Sequence, residues 1–423
     1  MFSGTAKGLA PAATKQIELA DIFAQHGESF RRQHSLPLHH LKVMQRIEVC
    51  RTAALGGHRQ WCEDCDFERY LYHSCRDRHC PKCQTQAREQ WRAARQLDLL
   101  PVPYFHDVFT LPHEFNEWIL ASEANHRALL KLLFDSAAAT LLAFGRRELG
   151  GQLGFTLVLH TWDQQLRPHF HLHGLVASGA LSADGSRWIA GGAKLMFPVR
   201  ALSKMFRGKF IAGFGMLLQA GELQLPREYA AGRKHVRLTL KRVRQKPWVV
   251  YSKAPFAGPA KLLDYLSRYT HRVAISNERI VSCVAGQVTF NYRDRADGDR
   301  RKQSTIPAGQ FIGRFLTHVL PDRFMRIRHY GFLATRNRSG KLATIRQLLG
   351  AKQPQPQPVL TATQWLESVL GIDTSRCPCC GGRLHESELV PQRPVPSPTL
   401  HRCRSPQAAV GLSLRGPPEA LAR

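Results

Sequence analysis

The chain has 423 residues, enough for two or three domains with buried cores. Its 60 Lys and Arg against 32 Asp and Glu leave a net charge of +28, the electrostatic footprint of a polyanion binder, nucleic acid above all. No run reaches the length of a membrane span and Met1–Thr5 opens no apolar signal region, so the expected place is the cytoplasm, with no membrane partner and with its 11 cysteines as metal ligands rather than disulfides.

Helical spacing runs from about Lys15 to Ala54, broken at Pro37, and predicts a small helical lead-in. Next come Cys62-Glu63-Asp64-Cys65 and Cys80-Pro81-Lys82-Cys83, two Cys-x-x-Cys turns with fourteen residues between them. Each turn brings two thiolates to one side of a metal, and four close a tetrahedron around a structural Zn²⁺. Cys62, Cys65, Cys80 and Cys83 are the expected set, with Cys75 as the alternate. Cys50, His58, His73 and His79 lie close enough to leave the choice of four open and to allow a second ion. The arginines around these turns suit a module that also grips DNA.

A helical stretch from Thr85 to Leu100 leads to a strand at Phe105–Leu111, and Glu114–Leu149 reads as helical again. Two apolar runs follow, Gly154–Leu159 ending at His160, and Phe170-His171-Leu172-His173-Gly174-Leu175-Val176. On a strand the period of two turns His171 and His173 to one face and Phe170, Leu172 and Val176 to the other. Paired imidazoles on a rigid strand are a half-site for a divalent metal, with His160 as third ligand and Gln164 as its competitor. A strand near Trp188 and a helix over Arg200–Leu218 come next. Arg233–Arg244 alternates basic with apolar, as a half-buried strand or a basic helix would.

Pro259 can open a helix that places Tyr265 one turn before Tyr269, with Arg268 and Arg272 beside them as phosphate contacts. A hairpin at Ile280–Tyr292 and two helices within Ala308–Leu349 complete this part, and Arg326 and Arg328 form a further expected DNA contact. Gln353–Pro358 reads as a Pro/Gln linker. In the tail, Cys377-Pro378-Cys379-Cys380 offers two or three ligands that His385, His401 or Cys403 could complete only weakly, and the last thirty or so residues read as disordered. The expected regions are therefore a zinc-binding, DNA-binding domain over 1–100, a catalytic domain over 101–350, and a linker with a largely disordered tail over 351–423. The fold class is α+β, a mostly antiparallel sheet covered by helices and preceded by a helical zinc domain.

A histidine-held cation beside a tyrosine hydroxyl suits metal-assisted transesterification of a phosphodiester, with the tyrosine as covalent nucleophile. Several blocks, in order, resemble the rolling-circle transposases of the bacterial insertion-sequence family IS ninety-one (IS91), which belong to the HUH class: Cys50–His58, Ser74–Cys83, Val108–Pro112, Leu159–Trp162, His171-Leu172-His173, Tyr265–Ser276 and Arg326–Gly331. The resemblance covers about Leu19 to Leu349. It implies that Tyr265 and Tyr269 are paired nucleophiles, that His171 and His173 bind Mg²⁺ or Mn²⁺, and that the product is a 5′-phosphotyrosine with a free 3′ hydroxyl on single-stranded DNA. The partners implied are the ends of a mobile element and target DNA, with any helicase supplied by the host. Phe170, where the family more often has proline, and Asp163-Gln164, in place of Gly-Gln, depart from the pattern. The alternative of another class is a zinc-dependent DNA-binding protein without strand-transfer activity.

Overall fold

The computed structural model describes residues 16–192, 197–226, 229, 233–253, 261, 273–336, 338–355, 364, 367, 371 and 373–389. Tyr265, Tyr269, Arg268 and Arg272 lie outside the described residues.

The lead-in is two helices, α1 (Leu19–Gln33) and α2 (Leu38–Glu48), with Pro37 at the N-cap of the second. Leu19, Ile22, Phe23 and Phe30 bury one face of α1, and Val43, Met44 and Ile47 one face of α2, at helical spacing. These faces close on residues far along the chain. Phe23 meets Phe315 edge-on with centroids 5.5 Å apart, and the Leu19 amide donates to Asn277 Oδ1 at 3.2 Å. Strands β1 (Gly57–Cys62) and β2 (Glu68–Tyr72) then form a hairpin, and α3 (Gln84–Gln96) follows.

The molecule is α+β. Strands β3 (Tyr104–Thr110), β4 (Gly151–Trp162), β5 (Pro168–Ser182), β7 (Val250–Lys253) and β11 (Ile327–Gly331) lie in the order β11-β4-β5-β3-β7, with β6 (Trp188–Ala190) also on β5. Every pairing is antiparallel. Between them come α4 (Asn116–Leu120), α5 (Glu123–Leu149), α6 (Val199–Gln219) and α7 (Arg233–Gln245). Phe109, Phe155, Leu157, Leu159, Phe170, Leu172 and Val176 turn one face of the sheet into a core closed by α5, α6 and α7. Helix α5 is long and apolar enough to cross a membrane by length and composition. Its apolar side chains are instead used against this sheet and α6, with Leu129, Leu133, Phe134, Leu141 and Phe144 buried.

At Arg233–Arg244 the helix wins over the strand. Val236, Thr239, Leu240 and Val243 recur at steps of three and four and turn inward, leaving Arg237, Lys241, Arg242 and Arg244 exposed. A strand would have split those four between two faces.

A second antiparallel sheet holds β8 (Ile280–Val284), β9 (Gln287–Asp294) and β10 (Arg300–Pro307), and packs with α1, α2 and α8 (Ala308–Leu316) around Phe290, Phe311 and Phe315. The region read as two helices over Ala308–Leu349 is α8, then the edge strand β11, then α9 (Arg338–Leu348). Strand β12 (Leu384–Leu389) pairs with β1 over six residues, so 373–389 is ordered structure on the N-terminal hairpin. Its sequence, Leu384-His385-Glu386-Ser387-Glu388-Leu389, has one apolar residue at each end and reads as polar coil; the partner strand supplies what hydrophobicity does not.

Candidate metal centres

The turn joining β4 to β5 sets the register on which the histidines depend. Asp163 Oδ1 accepts from the amides of Gln165 and Arg167, both at 2.8 Å, and Leu166 takes a left-handed φ of 61°. That closure puts His160 opposite His171 and Val158 opposite His173, so the imidazoles of all three histidines lie on the sheet face away from the main core. A bulge between His160 and Trp162 bends β4 at this point, and the Trp162 ring stacks on His160 at 5.2 Å. All three histidines are buried, with one ligating nitrogen of each within 4.8 Å of the others.

Their hydrogen bonds fix which nitrogens are available. His171 Nδ1 lies 2.9 Å from the His169 carbonyl, which can only accept, so Nδ1 carries the proton and Nε2 presents a lone pair. His171 Nε2 is 3.1 Å from His173 Nε2, and His173 Nδ1 is 2.9 Å from His106 Nε2. Without a cation, protons run His106 to His173 to His171 in one consistent chain. With a cation, His173 Nε2 must be bare, so its proton sits on Nδ1 and His106 Nε2 accepts it. Burial, helped by the Lys253 ammonium, pushes His106 down to about 4, so its imidazole stays neutral and can fill either role. Three neutral imidazoles with one nitrogen each on a common point suit a divalent transition ion.

Sequence reasoning placed His106 on a strand but gave it no role. The signal was present, because Phe105, Asp107 and Phe109 alternate with His106, Val108 and Thr110, but only the pairing of β3 with β5 shows which face is the histidine face. The same pairing, continued to β7, sets Lys253 opposite His106 and Tyr251 opposite Val108. Tyr251 is thus an exposed aromatic on the histidine face, two strands and about 10 Å from His173. Arg326 and Arg328, expected at DNA, are both half-buried. The Arg328 guanidinium lies over Phe134 at 4.3 Å and Phe324 at 5.1 Å, and burial beside Arg78 brings Arg326 down to about 10.

Among the described residues, eight cysteines form two sets, and neither is Cys62, Cys65, Cys80 and Cys83. Cys80 and Cys83, at the start of α3, meet Cys50 and Cys75, with Sγ separations of 3.5 Å for Cys50–Cys83 and 3.6 Å for Cys75–Cys83. Hydrogen bonds from Cys75 and then Cys80 pull the Cys50 thiol down to about 7. Cys62 and Cys65 face Cys377 and Cys380 instead. The reason lies in the hairpin. Cys75 follows its base, where Arg51 N donates to the His73 carbonyl, whereas Cys62 and Cys65 sit at its tip, one strand length or about 20 Å away. Both sets have the four thiol ligands of a structural Zn²⁺.

On the β12-β1-β2 sheet, Trp61, Tyr70, Tyr72 and His385 share one face, with His385 stacked on Trp61 at 5.6 Å and Tyr70 on Tyr72 at 6.3 Å. Arg59 lies on the same face, held by Glu68 and placed 5.4 Å from the Trp61 ring centroid.

Two family models match the chain: residues 22–111 fit one described as a transposase zinc-binding domain, and 154–340 one described as "Putative transposase". The Cys377–Cys380 turn lies outside both. Among curated proteins, the chain is 45% identical over 382 residues to "Putative transposase y4qJ" of Sinorhizobium fredii (strain NBRC 101917 / NGR234), covering 88% of this chain and 94% of that protein. It is 28% identical over 354 residues to the "Transposase for insertion sequence element IS801" of Pseudomonas savastanoi pv. phaseolicola, covering 81% and 82% respectively. No solved structure matches. A zinc-binding region ahead of a transposase region, in a chain that spans nearly the whole of a relative at this identity, places the protein in the IS91 family of transposases.

Proposed function

We propose that the protein nicks and transfers single-stranded DNA at the ends of a mobile element, with Tyr265 and Tyr269 as nucleophiles and a divalent cation on His160, His171 and His173. The observation that carries this reading is the meeting of three buried imidazoles from two neighbouring strands, with the His171 tautomer fixed by the His169 carbonyl. A divalent cation, when bound there, supplies positive charge against the scissile phosphate.

The phenol oxygen of one tyrosine attacks phosphorus and gives up its proton. The P–O3′ bond breaks, O3′ takes up a proton, and a 5′-phosphotyrosine and a free 3′ hydroxyl result. No water enters, so the phosphodiester bond energy is kept for rejoining. A second tyrosine allows a second strand to be held before the first link is resolved, which rolling-circle transposition requires and simple cleavage does not. Three features support a single-stranded substrate: the net charge of +28, the exposed Tyr251 on the histidine face, and the aromatic face built by Trp61, Tyr70, Tyr72 and His385. Stacking on such rings holds unpaired bases without selecting sequence.

The test is incubation of the protein with labelled single-stranded oligonucleotides from the element's ends and either Mg²⁺ or Mn²⁺. A denaturation-resistant protein–DNA adduct is expected. An all-imidazole set favours the softer ion, so the adduct should form at lower Mn²⁺ than Mg²⁺ concentrations. Replacing both tyrosines, Tyr265→Phe with Tyr269→Phe, should abolish the adduct while binding persists. Cleavage without an adduct would mean that water is the nucleophile; binding with neither would leave a zinc-dependent DNA-binding protein.

A further inference from the structure

Cys62 and Cys65 meet two cysteines more than three hundred residues later, and the contact is built in detail. Cys62 Sγ lies 3.5 Å from Cys380 Sγ, 318 residues away, and Cys65 Sγ lies 3.5 Å from Cys377 Sγ, 312 residues away. All four sulfurs fall within 4.8 Å of one another. Thiolates on a tetrahedral zinc, with Zn–S of about 2.3 Å, stand about 3.8 Å apart, so this spacing fits one ion at the centre.

Each half has the backbone of a zinc knuckle. In the later turn the amide of Cys379 donates to Cys377 Sγ and that of Gly382 to Cys380 Sγ, both at 3.4 Å, which supports charge on the sulfurs. Gly381 takes a φ of 77°, open to glycine, and its amide closes the turn on the Cys377 carbonyl at 2.9 Å. The two knuckles are pressed together: a Cβ on Gly382 would stand 2.0 Å from the Asp64 carboxylate. Arg69 Nη2 reaches the Thr374 carbonyl at 3.3 Å, and β12 runs along β1 from Gly57↔Leu389 to Cys62↔Leu384.

Among the described residues, the apolar part of this assembly is small. Its buried cluster is Cys62, Cys377 and Leu384, with Cys65 and Phe67 partly covered. So small an apolar cluster cannot offset the entropy of ordering 373–389. We propose that Cys62, Cys65, Cys377 and Cys380 bind a second zinc ion, separate from the Cys50, Cys75, Cys80 and Cys83 site, and that this ion fastens 373–389 to the N-terminal hairpin. It thereby makes β12 the outer strand of the sheet that carries the aromatic face. The site does not depend on the strand-transfer reading.

The test is the thiolate-bound zinc of the full chain, purified reduced and saturated with zinc, counted as the zinc that a thiol-blocking mercurial releases, so that an ion on His160, His171 and His173 stays out of the count. Two zinc ions per chain are expected. One should remain after Cys377→Ser with Cys380→Ser, one after Cys62→Ser with Cys65→Ser, and still one when all four are changed, because the two pairs share an ion. Cys379→Ser, beside the site, should keep two. Cobalt substitution of the unaltered chain needs no variant, and should give thiolate charge-transfer bands equivalent to two four-sulfur sites. Amide exchange in residues 57–62 and 384–389 should quicken on loss of one ion while the amides of α5 keep their protection. One zinc in the unaltered chain would overturn the proposal. So would two zincs surviving the loss of Cys377 and Cys380, or Cys62–Cys380 and Cys65–Cys377 disulfides in the reduced protein.

Discussion

Because His106 is buried and neutral, it can take the proton on His173 Nδ1 and leave Nε2 of that ring bare for a ligand. It is a positioning residue, and His106→Ala should weaken cation binding by about 10–100-fold, the usual cost of losing such a partner. Raising the Mn²⁺ concentration should then restore adduct formation to near the unaltered maximum. A loss that no concentration of Mn²⁺ recovers would mean that His106 supports only the fold. At this scale the sequence was partly legible. His171 and His173 share a face because a strand has period two, and His160 is near because one short turn returns the chain. His106 stayed hidden because its place depends on the partner of β3, which local pattern does not encode.

Gly331 shows what the sheet edge demands of an element. It ends β11 with a φ of 64°, opposite Gly154 on β4, and a Cβ there would stand 1.6 Å from the Leu153 carbonyl oxygen. Gly331→Ala combines left-handed strain with a backbone collision, so a loss of about 3 kcal/mol or more is expected. Urea unfolding measures it, and an unchanged midpoint would refute the assignment. Elements with repeating apolar faces, such as α5 and α6, were legible because burial itself writes their pattern. By contrast, β10, Arg300-Arg301-Lys302-Gln303-Ser304-Thr305-Ile306-Pro307, is an edge strand with one well-buried side chain, held by its ladder to β9. The cysteine turns show the same limit: Cys-x-x-Cys spacing identifies knuckles, but which knuckles join is decided by the hairpin between them and by β12.

Across the molecule, several histidines are buried as neutral rings. Burial, followed by the nearby His39, pushes His40 and His126 down to about 3, and burial pushes His318 down to about 4 despite its hydrogen bond at Leu166. Their folded values lie below the unfolded value of about 6.5, so the unfolded chain binds more protons and stability falls as pH drops from about 6.5 toward 4. Together the three should remove on the order of 4 kcal/mol between pH 7.5 and 5.5. Chemical denaturation at saturating zinc checks this, and His126→Gln should reduce the loss by about 1.4 kcal/mol; equal stability at both pH values would contradict it. The union of Cys62 and Cys65 with Cys377 and Cys380 also has a consequence in time. A ribosome adding about 5–20 residues per second needs roughly 15–60 s to travel from the first pair to the second. Throughout that interval the earlier thiols wait, open to stray metal or oxidant, and a copy of the gene cut short before Cys377 would leave them waiting for good.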